Sequence, residues 1–196
     1  MGRRRGGNPR PADRRMALDQ PLVIWGAGAI GGTIGATLVR AGHDVLFVDS
    51  AADHVARINR RGLTISGPVE QFTVAAEAAT PETLEGVYPR IILAVKTPAT
   101  EDASRALARH LAPDGYVVSA QNGLNEYVIA EIVGAARVIG CFVNFGADYI
   151  GPGEILYGGR GEIIKESCRE RGSVSVVAGT LQKTNTMPLV LSDTVL

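Results

Sequence analysis

Short apolar runs alternate with helical spacings from Leu22 to Val143. Leu22–Trp25 has strand length. Ile30, Ile34, Leu38 and Ala41 then recur along one helix face, and Gly42 is a natural stop. Val45–Val48 reads as a second buried strand ending at Asp49. Residues 51–61 carry His54, Arg57, Arg60 and Arg61 and read as an exposed helix that Gly62 ends. Residues 63–65 and 69–75 alternate around Gly67-Pro68, the pattern of a β-hairpin, and 79–89 reads as a loop or short helix. Residues 91–95 form the most continuous apolar run, which suits a central strand of a parallel sheet. A helix over 99–111, a turn at Pro113-Asp114-Gly115, a strand over 116–119, a helix over 126–133 and a strand over 138–143 follow. Two short extended segments, 154–157 and 161–164, are split by glycines, and 173–183 has helical spacing. The alternation predicts an α/β chain: a Rossmann-like, doubly wound, mostly parallel sheet with helices on both faces.

The first strand runs into Gly26-Ala27-Gly28-Ala29-Ile30-Gly31, a G-x-G-x-x-G turn that opens the first helix. In that context the glycines serve separate ends. Gly26 allows the tight turn, Gly28 the close approach of backbone to a pyrophosphate, and Gly31 the packing of helix on strand. The helix N-terminus adds free N–H groups and a positive dipole end. Gly26 to Gly31 are therefore the candidate dinucleotide site. Asp49 follows Gly31 by eighteen residues, where the fingerprint places a carboxylate for the adenosine ribose. It also suits the N-cap of the helix that starts near Ala51. Ligands of open α/β sheets bind beyond the carboxyl ends of the strands, so two further strand ends matter: Lys96-Thr97-Pro98 and Gln121-Asn122-Gly123. Lys96 can meet a phosphate or a carboxylate, or be a solvated lysine. Asn122 can hold a ribose or a substrate oxygen, or form a plain Asn-Gly turn.

Composition narrows the partners. The 196 residues balance 20 basic against 20 acidic side chains, so no global field draws the chain to nucleic acid or to a membrane. No window of eighteen residues is uninterruptedly apolar, which excludes a membrane-spanning helix. Arg14-Arg15 ahead of an apolar stretch has the look of a twin-arginine export signal, but the glycine fingerprint accounts for that stretch better. Cys141 and Cys168 and three scattered histidines show no metal-ligand spacing, so no metal site is expected and a reducing cytoplasm fits. The first fifteen residues hold six arginines and one acid, the signature of a disordered basic tail over 1–20, with Met16 an alternative start. A dinucleotide-binding domain over 21–186 follows, and 187–196 reads as the start of a further domain.

Taken in order, the glycine turn with Gly32, Ala94-Val95-Lys96-Thr97, Gln121-Asn122-Gly123-Leu124, Phe145-Gly146-Ala147 and Gly151-Pro152-Gly153-Glu154 resemble the N-terminal domain of the ketopantoate reductase (2-dehydropantoate 2-reductase) family, over about residues 22–164. The resemblance implies NADPH-dependent reduction of ketopantoate, an α-keto acid, to pantoate in pantothenate biosynthesis. It implies that Gly26, Ala27, Gly28, Ala29, Ile30 and Gly31 hold the pyrophosphate. It further implies that Lys96 and Asn122 line both cofactor and substrate sites, and that Ala147 lies near the nicotinamide. A cytoplasmic enzyme acting on a small molecule, compatible with a homodimer, is the corresponding expectation.

The family's general-acid lysine belongs to a C-terminal helical domain. Lys165 and Lys183 do not sit in its motif, so the catalytic residue is unknown and the chain is expected to supply mainly the cofactor-binding half. Well-known members carry a basic residue after the second strand, suited to NADP. Asp49 stands here instead and opens NAD, with Arg57, Arg60 and Arg61 nearby to offset it. Two other readings remain open: an NAD-dependent dehydrogenase of another 2-keto or 3-hydroxy acid, and an inactive truncated dinucleotide-binding protein.

Overall fold

A computed structural model describes residues 20–169 and 173–175. The expected basic tail before Gln20, the end of the domain near 186, the segment 187–196 and Lys183 lie outside the described residues. The elements are β1 (Leu22–Trp25), α1 (Ala29–Arg40), β2 (Val45–Val48), α2 (Ala52–Arg61), β3 (Leu63–Ser66), β4 (Phe72–Val74), β5 (Glu77–Ala79), β6 (Tyr88–Leu93), α3 (Thr100–Leu107), β7 (Leu111–Ser119), α4 (Asn125–Val133), β8 (Val138–Gly151), β9 (Glu154–Arg169) and β10 (Ser173–Ser175).

They form one sheet in the order β4-β3-β9-β8-β7-β6-β1-β2-β5, with β10 on β9. The run from β5 to β8 is parallel throughout. The β8–β9 and β3–β4 pairs are antiparallel. The chain leaves β1 in one direction through β2 and returns to its other side at β6, so the strand order reverses between β1 and β6. That reversal is where an open α/β sheet offers a crevice. The Rossmann-like expectation holds.

Both faces of the central strands are apolar because both are covered. Leu22 and Ile24 of β1, Phe47 of β2 and Val118 of β7 pack with Ile34 and Leu38 of α1. Val23 and Trp25 of β1, Ile91 and Leu93 of β6 and Val117 of β7 pack with Leu107 of α3 and Ile129 and Val133 of α4. Fully burying each such side chain contributes about 1.5–3 kcal/mol. Helix α1 touches β1, β2, β3, β4, β8 and β9, so the sheet wraps it. This explains its run of small residues. A Cβ on Gly32 would lie 2.1 Å from Ile155 Cδ1, and one on Gly35 would lie 2.3 Å from the Phe47 ring.

Several expectations need correction. The helix over 51–61 is not simply exposed: His54, Val55 and Ile58 are buried and Arg57 is half-buried, while Arg60 and Arg61 face out. Between the 69–75 strand reading and the 79–89 loop reading lies β5, an edge strand paired with β2 whose Glu-Ala-Ala sequence carries no strand signal, and β6 already begins at Tyr88. The helix over 99–111 ends at Leu107, and Leu111 already pairs with Tyr88. The Pro113-Asp114-Gly115 turn is a bulge within β7, because pairing jumps from Leu111 to Tyr116 across it. Arg137 donates to the carbonyls of Ala112 and Gly115 and holds that bulge. The strand over 138–143 continues to Gly151, and the two short segments beyond are one strand, β9, irregular near Gly146 and Gly159. The helix reading of 173–183 fails at its first three residues, which pair with β9.

Candidate functional site

The turn after β1 is built from backbone. Gly26 has φ +97°, a conformation L side chains rarely adopt, and a Cβ there would lie 2.9 Å from the Ala94 carbonyl carbon. Its N–H donates to Val48 O at 2.7 Å. A Cβ on Gly31 would lie 2.0 Å from Gly26 O, so this glycine lets α1 sit on the strand end. Gly28 differs. Its φ of −69° is open to any residue, and a Cβ built on it meets nothing within 4 Å. The fold gives no internal reason for a glycine there, and the space beside it is open. Gly26, Ala27 and Gly31 are buried; Gly28, Ala29 and Ile30 are half-buried at the mouth of the turn. Gly28 stands at the N-cap of α1, whose first-turn N–H groups have no intrahelical partners. An open, amide-lined helix end of this kind fits a pyrophosphate.

Asp49 ends β2 and reaches across to this turn. Its Oδ2 accepts from Ala27 N at 2.9 Å and its Oδ1 from Ala51 N at 2.9 Å. The N-cap of α2 is Ala51, with no side-chain cap, so Asp49 closes a turn ahead of the helix rather than capping it. Two oxygens accept up to about four hydrogen bonds, which leaves capacity for ribose hydroxyls. Tyr149 of β8 lies beside this corner: burial raises its phenol above the ordinary value, and the Asp53 and Asp49 carboxylates raise it further.

Lys96 and Asn122 occupy neighbouring strand ends. Gly26 abuts Ala94 and Val95, immediately before Lys96. The Lys96 ammonium is exposed and makes no hydrogen bond or ion pair with the described residues. Gln121, buried at 6% exposure, donates through Nε2 to Val95 O at 2.7 Å and to Thr100 Oγ1 at 2.8 Å. Thr100 Oγ1 in turn donates to Asn125 Oδ1 at 3.3 Å. Asn125 Nδ2 donates to Thr97 Oγ1 at 3.3 Å and to Asn122 O at 3.1 Å. This buried network locks the Lys96 loop to the Asn122 loop. Asn122 is exposed, and its Oδ1 accepts from Val143 N at 3.1 Å, so its side chain bridges to β8 as well as shaping a turn. Ala147, half-buried, lies four residues further along β8, opposite Tyr157 of β9.

The residues singled out from sequence thus line one edge, across the ends of β2, β1, β6, β7 and along β8. Asn125, His54 and Tyr149 are additions, and Gln121, named from sequence only as part of its strand end, proves to be the buried link between two loops. His54 reads from sequence as part of an exposed helix; the signal that could have found it is the stripe it forms with Val55 and Ile58 at helical spacing, masked by the arginines around it. Among the described residues no cluster of His, Cys, Asp and Glu could hold a metal. Nor is any helix among them long and apolar enough to cross a membrane.

Comparison with known proteins gives concordant results. The family model described as Ketopantoate reductase PanE/ApbA matches residues 22–168. A 2-dehydropantoate 2-reductase of Pyrococcus abyssi is 40% identical over 144 residues, which make up 73% of this chain and 46% of that protein. Among solved structures, the 2-dehydropantoate 2-reductase of Geobacter metallireducens superposes with TM-score 0.67 at 31% identity, covering 78% of this chain and 51% of its own. A D-mandelate dehydrogenase solved with NADH and anilino(oxo)acetate superposes with TM-score 0.68 at 25% identity, covering 74% of this chain and 48% of its own. The chain spans about half the length of the relatives it matches.

Proposed function

This chain belongs to the ketopantoate reductase family, and we propose that it forms the nicotinamide-dinucleotide-binding half of a 2-dehydropantoate 2-reductase that works with NADH. The observation that carries the reading is the open space at Gly28, a glycine the fold itself does not require, at the amide-lined end of α1.

In this reading the Gly28–Gly31 amides take the pyrophosphate. Gly26 and the buried Ala27 set the turn that presents them. Asp49 keeps acceptor capacity for the adenosine ribose, and Asn122 and Ala147 border the other end of the cofactor. Lys96, charged and unengaged, takes the α-carboxylate of the keto acid. The bound nicotinamide supplies the hydride; the chain's residues fix its position and that of the acid. No group among the described residues is assigned as the proton donor.

The choice of NADH over NADPH rests on charge. A ribose 2′-phosphate at Asp49 would meet that carboxylate, with Asp53 close by. The arginines of α2 do not offset this. Arg60 and Arg61 stand in the last turn, and a ten-residue helix is about 15 Å long. Arg57 packs toward Gly153. The NADPH expectation carried by the resemblance is the competing outcome.

The chain's one tryptophan provides the assay. Trp25 immediately precedes Gly26, so a reduced nicotinamide cofactor seated on the turn quenches its fluorescence. Saturable quenching by NADH, with NADPH at least tenfold weaker, is the expected result. Absence of quenching would refute the dinucleotide site, and tighter NADPH would refute the assignment of Asp49.

A further inference from the structure

His54 is fully buried, and both of its ring nitrogens are engaged by backbone. Nδ1 accepts from Gly153 N at 2.9 Å, so it carries no proton. Nε2 then carries the proton and donates to Ala27 O at 2.9 Å. Ala27 is the second residue of the glycine turn, and its N–H is held by Asp49 Oδ2. Two side chains from the β2–α2 corner thus grip one residue of the turn by both of its backbone polar groups. Gly153, whose carbonyl accepts from Thr64 N at 2.9 Å, anchors the turn between β8 and β9. The Tyr149 ring and the imidazole make a T-shaped contact at 5.2 Å between centroids.

We propose that His54 is a positioning residue for pyrophosphate binding, which fixes the direction of the Gly28 amide and ties the glycine turn to the β8–β9 hairpin. The reason is peptide geometry. Across a trans peptide the C=O and N–H groups point in opposite directions, so pulling Ala27 C=O toward His54 turns Gly28 N–H away from it. The Gly28 Cα borders open space, with no atom within 4 Å of a built Cβ. The same imidazole holds the hairpin that carries Ala147, so movement at either end of the cofactor site is felt at the other. The proposal rests on the dinucleotide reading above and adds to it a residue that touches no part of the cofactor.

The test compares His54→Phe, which keeps a ring beside Tyr149 but neither hydrogen bond, with His54→Gln, whose amide can accept and donate at similar spacing. Each is titrated with ADP-ribose and with adenosine, following amide resonances, with folding checked by thermal melting. We expect His54→Phe to bind ADP-ribose about tenfold more weakly, as for one misdirected bond to a charged group, with adenosine unchanged. We expect His54→Gln to recover most of the loss. Equal losses for both ligands, or His54→Gln no better than His54→Phe, would overturn the proposal. If His54→Phe does not fold, the imidazole nitrogen spectrum of the unaltered chain decides: an Nε2–H tautomer supports the clamp and an Nδ1–H tautomer overturns it. Failure of the unaltered chain to bind ADP-ribose would instead refute the dinucleotide reading, which separates the two.

Discussion

Replacing Gly28 by alanine separates what the fold needs from what a ligand needs. The backbone there, φ −69° and ψ −159°, is accessible to alanine, and the added methyl meets no atom within 4 Å. Two small effects oppose each other. Alanine restricts the unfolded chain, a gain of about 0.4–1 kcal/mol, and it is a poorer N-cap than glycine by a comparable amount. Stability should therefore change by less than about 1 kcal/mol. Binding should change more, because the methyl stands where the pyrophosphate approaches. Losing one hydrogen bond to a charged group costs about 1.5–3 kcal/mol, or about 10- to 150-fold in Kd. Gly31→Ala is the contrasting case: its methyl would lie 2.0 Å from Gly26 O, so stability falls as well. Urea denaturation gives the stability change and calorimetric titration with NADH gives the affinity. A Gly28→Ala chain that binds NADH normally would refute the reasoning. So would one that loses more than about 2 kcal/mol of stability, since the glycine would then serve the fold.

Other consequences are equally direct. Gly35→Ala places a methyl 2.3 Å from the Phe47 ring and should cost about 1–3 kcal/mol by urea denaturation. Gln121→Leu removes the side-chain donor to Val95 O and one of the two bonds of Thr100 Oγ1, which keeps Asn125, so it should cost about 1–3 kcal/mol and loosen the Lys96 loop, seen as faster amide exchange at 97–100. Asp49→Arg should shift preference from NADH toward NADPH in the tryptophan-quenching assay; unchanged preference would remove Asp49 from the recognition of the ribose. Burial holds the Tyr116 phenol above its ordinary value, against a weaker opposing pull from Arg90. Its contribution to stability is therefore complete below about pH 10 and is lost as pH rises toward the folded-state value. Tyr116→Phe should flatten the alkaline fall in stability measured by denaturation across that range.

The parallel half of the fold was legible because its strands are buried on both faces and read as apolar blocks. β1, β2 and β6 stand out for this reason, and the glycine turn and Asp49 were fixed in place by them. The failures share a cause, which is that the decisive contacts are distant in sequence. Glu77-Ala78-Ala79 has no strand propensity and pairs as an edge only because β2 presents an open side. Glycines at 158, 159 and 161 read as breaks in a strand. Yet a Cβ on Gly161 would lie 1.3 Å from Asn144 O, so that glycine lets β9 close on β8. His54 looked exposed among arginines, and its two partners, Ala27 and Gly153, lie 27 and 99 residues away. The site itself was legible as separate strand ends. The buried network through Gln121, Thr100 and Asn125 that joins two of them was not, because Thr and Asn are common turn and cap residues on their own and the bonds run between residues 21 to 26 apart in sequence.

The most direct test of the account is amide chemical-shift mapping of the chain titrated with NADH. Shifts concentrated at Gly28–Gly31, around Asp49, at Lys96 and Asn122 and along β8 near Ala147 are the predicted result. Shifts confined to the groove between α3 and α4, lined by Glu101, Arg105, Val128, Glu131 and Ile132, would contradict it.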